Sequence, residues 1–129
     1  MKLQRVLPMV GIAVLMFLLA GCEKMVNVDS SMNGSSVTLE KGQQMVLKLA
    51  SNPTTGFDWE IVGLDTAILQ QVGEVEYKSD SLLIGSGGEN TWTFEAVASG
   101  QTHLQLIYHR NWEKDIPPVE TFDLDIEVK

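Results

Sequence analysis

In the stretch Phe122-Asp123-Leu124-Asp125-Ile126-Glu127-Val128, apolar residues alternate strictly with acidic ones. Successive side chains of an extended strand point to opposite faces, so this stretch has one apolar face and one charged face. A helix would scatter the same residues around its circumference. The period recurs along the chain: Trp92, Phe94 and Ala96 alternate with Thr91, Thr93 and Glu95, and Leu104, Leu106 and Tyr108 with His103, Gln105 and His109, although Ile107 interrupts the polar set. Met45, Leu47 and Leu49 form another set, as do Phe57, Trp59 and Ile61. Val37 and Leu39 supply an earlier short strand, and residues 68–77 a longer, less regular one. No segment carries a helical repeat. Short one-sided strands separated by Gly, Pro, Asn and Ser clusters predict an all-β, antiparallel sandwich of about seven strands.

The strand pattern also sorts the connections. Taking strands near residues 36–40, 44–50, 57–62, 68–77, 90–98, 102–109 and 119–128, alternate connections fall at the same end of the sandwich. One end receives Lys41-Gly42-Gln43, residues 63–66 and Ser99-Gly100-Gln101, which are short and polar as plain turns are. The other receives residues 51–56, 78–89 and 110–118, which are longer and hold residues that a plain turn does not need. Loops held by a rigid scaffold are where binding residues concentrate, so this end reads as a composite binding surface.

At 129 residues the chain fits one domain with one modest core. Its beginning stands outside that core. Lys2 and Arg5 precede an apolar run over residues 6–19, followed at once by Leu19-Ala20-Gly21-Cys22. This is the pattern of a secretory signal, and the run, interrupted by Pro8 and Gly11, is too short to favour a spanning helix. Cys22 is the sole cysteine, so no intrachain disulfide forms. Leu-Ala-Gly-Cys resembles the bacterial lipobox, which implies a lipidated Cys22 as the mature N-terminus. The expected division is residues 1–21 as signal peptide, 22–35 as lipidated start, short tether and possible first strand, and 36–129 as the sandwich. In that early segment Met25-Val26-Asn27-Val28 offers an edge strand, with Asn33-Gly34 turning into the next. The expected location is the bacterial cell envelope, as an exported, membrane-anchored lipoprotein.

Without Lys2 and Arg5, seven of the nine basic side chains remain against seventeen acidic ones, a formal charge of −10. That balance argues against nucleic acid or an anionic membrane surface as partner, since both favour basic patches.

Three loops carry the unusual residues. In Asn52-Pro53-Thr54-Thr55-Gly56-Phe57, Pro53 fixes φ and Gly56 permits a positive φ, so the loop is stiff and sharply bent. In Leu82-Leu83-Ile84-Gly85-Ser86-Gly87-Gly88-Glu89, three aliphatic residues stand beside a glycine cluster; no helix or Lys-Ser/Thr follows to make a phosphate loop. Arg110-Asn111-Trp112-Glu113-Lys114-Asp115 places a tryptophan among charges just past a strand, where it either joins the core or serves as an exposed binding anchor. His103 and His109 share one face of a strand, with no third metal ligand in view and no Ser-His-Asp spacing, so neither a metal site nor an enzyme is expected.

The ordered trio of motifs resembles the chagasin-type inhibitors of papain-family cysteine proteases over roughly residues 37–128. The matching pieces are Asn52-Pro53-Thr54-Thr55-Gly56-Phe57 with Trp59, then Leu83-Ile84-Gly85-Ser86-Gly87-Gly88, then Tyr108-His109-Arg110-Asn111-Trp112. The resemblance implies an immunoglobulin-like sandwich whose B–C, D–E and F–G loops carry these motifs. It implies reversible, competitive inhibition in which the first loop covers the catalytic cysteine and histidine. The loops bearing Gly85 to Gly88 and Arg110 to Trp112 would clamp either side, with Leu83 and its neighbours lying extended along the cleft. The implied partners are papain-family cysteine proteases, engaged by a monomer without metal or cofactor. One position departs from the pattern: Asn111 stands where the family typically has proline, which frees the unbound loop. The competing expectation is a non-inhibitory envelope lipoprotein that uses the same loop end for protein binding or adhesion.

Overall fold

The computed structural model describes residues 24–129; the expected signal peptide and Cys22 lie outside the described residues. Nine strands are present among them: β1 Val26–Asp29, β2 Ser35–Leu39, β3 Gln44–Ser51, β4 Asp58–Gly63, β5 Leu69–Gln71, β6 Glu76–Ser79, β7 Gly88–Ala96, β8 Gly100–His109 and β9 Glu120–Val128. One sheet runs β1-β3-β7-β5, with β6 also on β7, and the other runs β2-β9-β8-β4. The two pack as a sandwich because each strand turns its apolar set inward. Met45, Leu47 and Leu49 of β3 and Trp92, Phe94 and Ala96 of β7 meet Leu104 and Leu106 of β8 and Phe122, Leu124 and Ile126 of β9, all buried. The acidic residues between the apolar ones in β9 face outward, as the alternation requires.

Two features raise the strand count above seven. The segment at residues 25–28 does form a strand, and the long irregular one breaks in two. Gly73 adopts φ 70 between β5 and β6, a conformation that ends an extended run, although both halves still pair with β7. The arrangement is also not wholly antiparallel, since β1 pairs parallel to β3 and β2 parallel to β9. The chain crosses from one sheet to the other between β1 and β2 through a short turn at Ser30–Met32. Asn33 fixes the crossing: its side-chain Nδ2 donates to Thr121 O at 3.0 Å and its Oδ1 accepts from Asp123 N at 2.8 Å. A side chain thus extends the ladder on β9 before β2 takes over.

The grouping of connections holds. At one end Ser51 lies opposite Gly88 and Ser79 also lies opposite Gly88, while Asp58 pairs with His109 and Tyr108 with Glu120. The β3–β4, β6–β7 and β8–β9 connections therefore emerge together.

Candidate functional site

The first loop is a single turn of 3-10 helix at Pro53–Thr55. Pro53 occupies its first turn, where the missing N–H costs no hydrogen bond. Thr55 N donates to Asn52 O at 3.2 Å and Gly56 N to Pro53 O at 3.0 Å. Gly56 closes the turn at φ 81. A second constraint acts on the same residue, because a Cβ at Gly56 would run into the Trp112 ring. Glycine is thus required both by the backbone and by the tryptophan lying on it.

Asn52 ties the first two loops to each other and to strand β8, which leads into the third. Its N–H donates to Tyr108 Oη at 3.0 Å, its Nδ2 to Gly85 O at 3.2 Å, and its Oδ1 accepts from Thr54 Oγ1 at 2.5 Å. Arg110 supplies a second tie. Its Nε donates to Thr55 O at 3.1 Å, its guanidinium lies 4.3 Å from the centre of the Phe57 ring, and Nη1 reaches Glu113 at 3.4 Å. Below these, Phe57 stacks on Tyr108 at 5.6 Å and Tyr108 meets Trp59 at 5.0 Å. Trp59 Nε1 donates to Ala50 O at 2.9 Å, linking the two sheets at the root of the loop. Asn90, a buried polar residue, donates to Asp58 Oδ1 at 2.9 Å in the same layer.

In the third loop, Glu113 N donates to Arg110 O at 3.1 Å, closing a turn with Asn111 in its second position. Proline favours that position, so the residue usual in the family suits the shape this loop already has. Trp112 does not join the core. It is 63% exposed, with the six-membered part of its ring against Gly56.

The second loop is built differently. Asp80 N donates to Gly87 O at 2.9 Å across its base, and Ser86 N donates to Leu83 O at 3.2 Å near its tip. Gly85 sits in the third position of that tip turn at φ 84, where glycine is favoured. The segment from Leu83 is therefore turned rather than extended in the free protein. Leu82 and Ile84 are fully exposed and Leu83 nearly so. Gly88 lies not in the loop but at the start of β7, buried, where a Cβ would strike the Lys78 carbonyl and the Tyr77 ring. Its glycine is required for packing.

All three sequence motifs thus come to one end, joined through Asn52, Tyr108 and Arg110 of the motifs themselves and through Asp58 and Asn90, which the motifs do not include. Asp58 and Asn90 read in sequence as ordinary strand positions, since each continues a period-2 pattern. The one signal in the sequence was Asn90, a polar residue on an inward-facing position.

This geometry defines a class first: an immunoglobulin-like sandwich that presents a stiff, cross-braced loop cluster without a constellation for bond chemistry among the described residues. Similarity to known proteins narrows it. Residues 38–126 match the chagasin family of peptidase inhibitors, I42, and the chain belongs to that family. It is 34% identical to chagasin of Trypanosoma cruzi over 89 residues, covering 66% of this chain and 81% of chagasin. A cysteine protease inhibitor from Entamoeba histolytica superposes with a TM-score of 0.72 at 17% identity, covering 81% of this chain and 95% of that one. PbICP-C, solved in complex with falcipain-2, superposes with a TM-score of 0.56 at 13% identity, covering 82% and 90%. The fold is shared with both solved structures, and the family is one of inhibitors rather than enzymes.

Proposed function

We propose that this protein inhibits papain-family cysteine proteases by plugging the catalytic cleft with its three-loop end. The observation that carries the reading is the mutual bracing of the loops by Asn52 and Arg110 around an exposed Trp112. A loop already held in its bound shape loses little conformational freedom on docking, and that freedom is a main cost of association. The turn at Pro53–Thr55 also explains why an inhibitor is not a substrate. Its backbone is folded on itself through i to i+3 hydrogen bonds, so it offers no extended segment for the protease to cut.

In this reading Asn52, Pro53, Thr54, Thr55, Gly56 and Phe57 form the plug over the catalytic cysteine and histidine. Arg110, Asn111 and Trp112 clamp one side, with the exposed ring of Trp112 against aromatic surface of the protease. Leu83, Ile84, Gly85, Ser86 and Gly87 cover the other side, the aliphatic pair supplying apolar contact. Gly88 serves by fixing where that loop ends. The protein acts as a monomer. Upstream, residues 1–21 are a signal peptide, and acylation of Cys22 holds the sandwich at a membrane of the bacterial envelope.

Titration of papain with the chain starting at Glu23, which retains every strand, tests the reading. Tight competitive inhibition is expected, weakened by Trp112→Ala and by the pair Thr54→Ala with Thr55→Ala, with trypsin unaffected. No inhibition of papain at micromolar protein, with the fold intact, sinks it.

A further inference from the structure

The third loop continues past its motif, and its second half is built unlike its first. Asp115 is the one non-glycine residue among those described with a positive φ, 62, and it swings the backbone round into Ile116-Pro117-Pro118-Val119. Proline fixes φ, and a residue before proline is held to extended backbone, so residues 116–118 form a stiff ridge. Its lower end is fastened, because Val119 N donates to Tyr108 O at 3.0 Å where the ridge runs into the β8–β9 ladder. Pro117 and Pro118 have no N–H and that of Val119 is already used, so a partner cannot add a strand here and must bind through side chains. Ile116 is 56% exposed and Val119 61%. Between the ridge and the first loop lies a pocket of about 220 Å³, whose lining includes Phe57, Arg110, Glu113, Ile116, Pro117 and Val119. The Arg110 guanidinium, 4.3 Å from the centre of the Phe57 ring and 3.4 Å from Glu113, gives this pocket a charged side. The ridge gives it an apolar one. Trp112 takes no part in it; that ring lines a separate hollow with Gly56, Asp58 and Glu60.

Resting on the inhibitory reading above, we propose that this ridge and pocket are a further protease contact, which receives one apolar side chain, aromatic or branched, from a surface loop bordering the protease cleft. Continuity selects that occupant. Phe57 belongs to the plug and Arg110 to the clamp, and both also line the pocket, so a protease seated on them covers its mouth. Burying Ile116 and Val119 against an apolar side chain is favourable in proportion to the apolar area taken from water. The ridge loses little freedom on docking, since its prolines have already restricted it. A charged side chain in the same place would give up water beside aliphatic groups, with Arg110 already paired to Glu113, and is disfavoured. The contact therefore discriminates among papain-family proteases by the residue each presents here. The plug, which covers the catalytic cysteine and histidine that they share, does not.

The test titrates papain and cathepsin L with the full-length chain in detergent and with its double variant Ile116→Ser with Val119→Ser. The variant is expected to inhibit at least one of the two proteases about five-fold more weakly or worse, because apolar burial is lost from the complex alone. Its unfolding midpoint should stay close to the parent's, as at other exposed positions. Val62→Ser, which alters a valine 47% exposed at the far end of β4, is expected to leave inhibition unchanged. Inhibition of both proteases within about two-fold of the parent overturns the proposal and leaves the three-loop reading standing. An equal loss from Val62→Ser overturns it too, since the effect would then not belong to the ridge. If the parent inhibits neither protease, the inhibitory reading fails and the further contact goes with it. A second measurement uses the unmodified chain and so does not depend on how the variant folds. In at least one of the two complexes, irradiating the protease protons is expected to attenuate the NMR methyl signals of Ile116 and Val119 but not those of Val62. Full intensity at residues 116 and 119 in both complexes overturns the proposal.

Discussion

The first and second loops differ in what holds them. The turn at Pro53–Thr55 is tied to the rest of the molecule by Tyr108, by Arg110 and by the Trp112 ring on Gly56. The second loop is tied chiefly to itself, through Ser79, Ser81 and Ser86 and the pairing of Asp80 with Gly87, and reaches the first through Asn52 to Gly85. Yet the second carries the fully exposed Leu82 and Ile84. One loop is shaped before the partner arrives, and the other stores apolar surface that only a partner can bury. Affinity in such an arrangement should depend on bracing in the first and third loops and on burial in the second.

The sharpest way to break this contrast is Trp112→Ala. It removes an exposed anchor and the brace on Gly56 together, and inhibition should weaken by about 2 kcal/mol, or roughly 30-fold, with thermal unfolding nearly unchanged. Gly56→Ala separates the two roles, since Trp112 is still present but displaced. The left-handed backbone and the blocked ring should make inhibition about tenfold weaker, and here the melting temperature should fall as well. The double change Leu82→Ser with Ile84→Ser should leave unfolding within about 0.5 kcal/mol of the parent, as exposed positions do. Its effect should be on binding alone, about five-fold weaker, because only the complex buries those side chains. A loss of stability instead would mean that the second loop is packed in the free protein.

Asn111→Pro runs the other way. The residue sits in the second position of a turn, and its N–H makes no backbone hydrogen bond found among the described residues. Proline should tighten inhibition by about 0.4–1 kcal/mol, or two- to five-fold, by narrowing the free loop's conformations. The smallest effect concerns a site away from the loops. His103 lies between Asp125 at 2.7 Å and Asp123 at 2.8 Å, so both ring nitrogens face carboxylates and both donate when the ring is charged. The hydrogen bond to Asp125, then that to Asp123, raises its pKa above the ordinary histidine value. A pKa raised by folding gives a stabilising contribution that is complete below about 6.5 and fades as pH climbs through the raised value. Ring-proton NMR should place the His103 midpoint above 6.5, and Asp125→Asn should lower it.

Much of the fold and of the loop end is legible in the order of residues. Period-2 alternation marks strands because side-chain direction is a local property of the backbone, and β9 follows its pattern through to Val128. The grouping of three connections at one end needs only strand parity. The break at Gly73 is less visible, since a glycine in a strand-like stretch is compatible with a bulge, a bend or continuation. The parallel pairing of β1 and β2 is invisible, because the same residues satisfy either direction and only the neighbouring strands choose between them.

Local periodicity and short runs of residues thus specify the sandwich, the loops that share an end, and the family whose motifs they carry. Long-range packing specifies the rest: that Asn52 ties the first two loops to each other and to strand β8, that Trp112 lies over Gly56 rather than in the core, and that Gln43 holds the start of the first strand. Such facts depend on contacts between residues far apart in the chain, and no local pattern encodes which distant groups will meet.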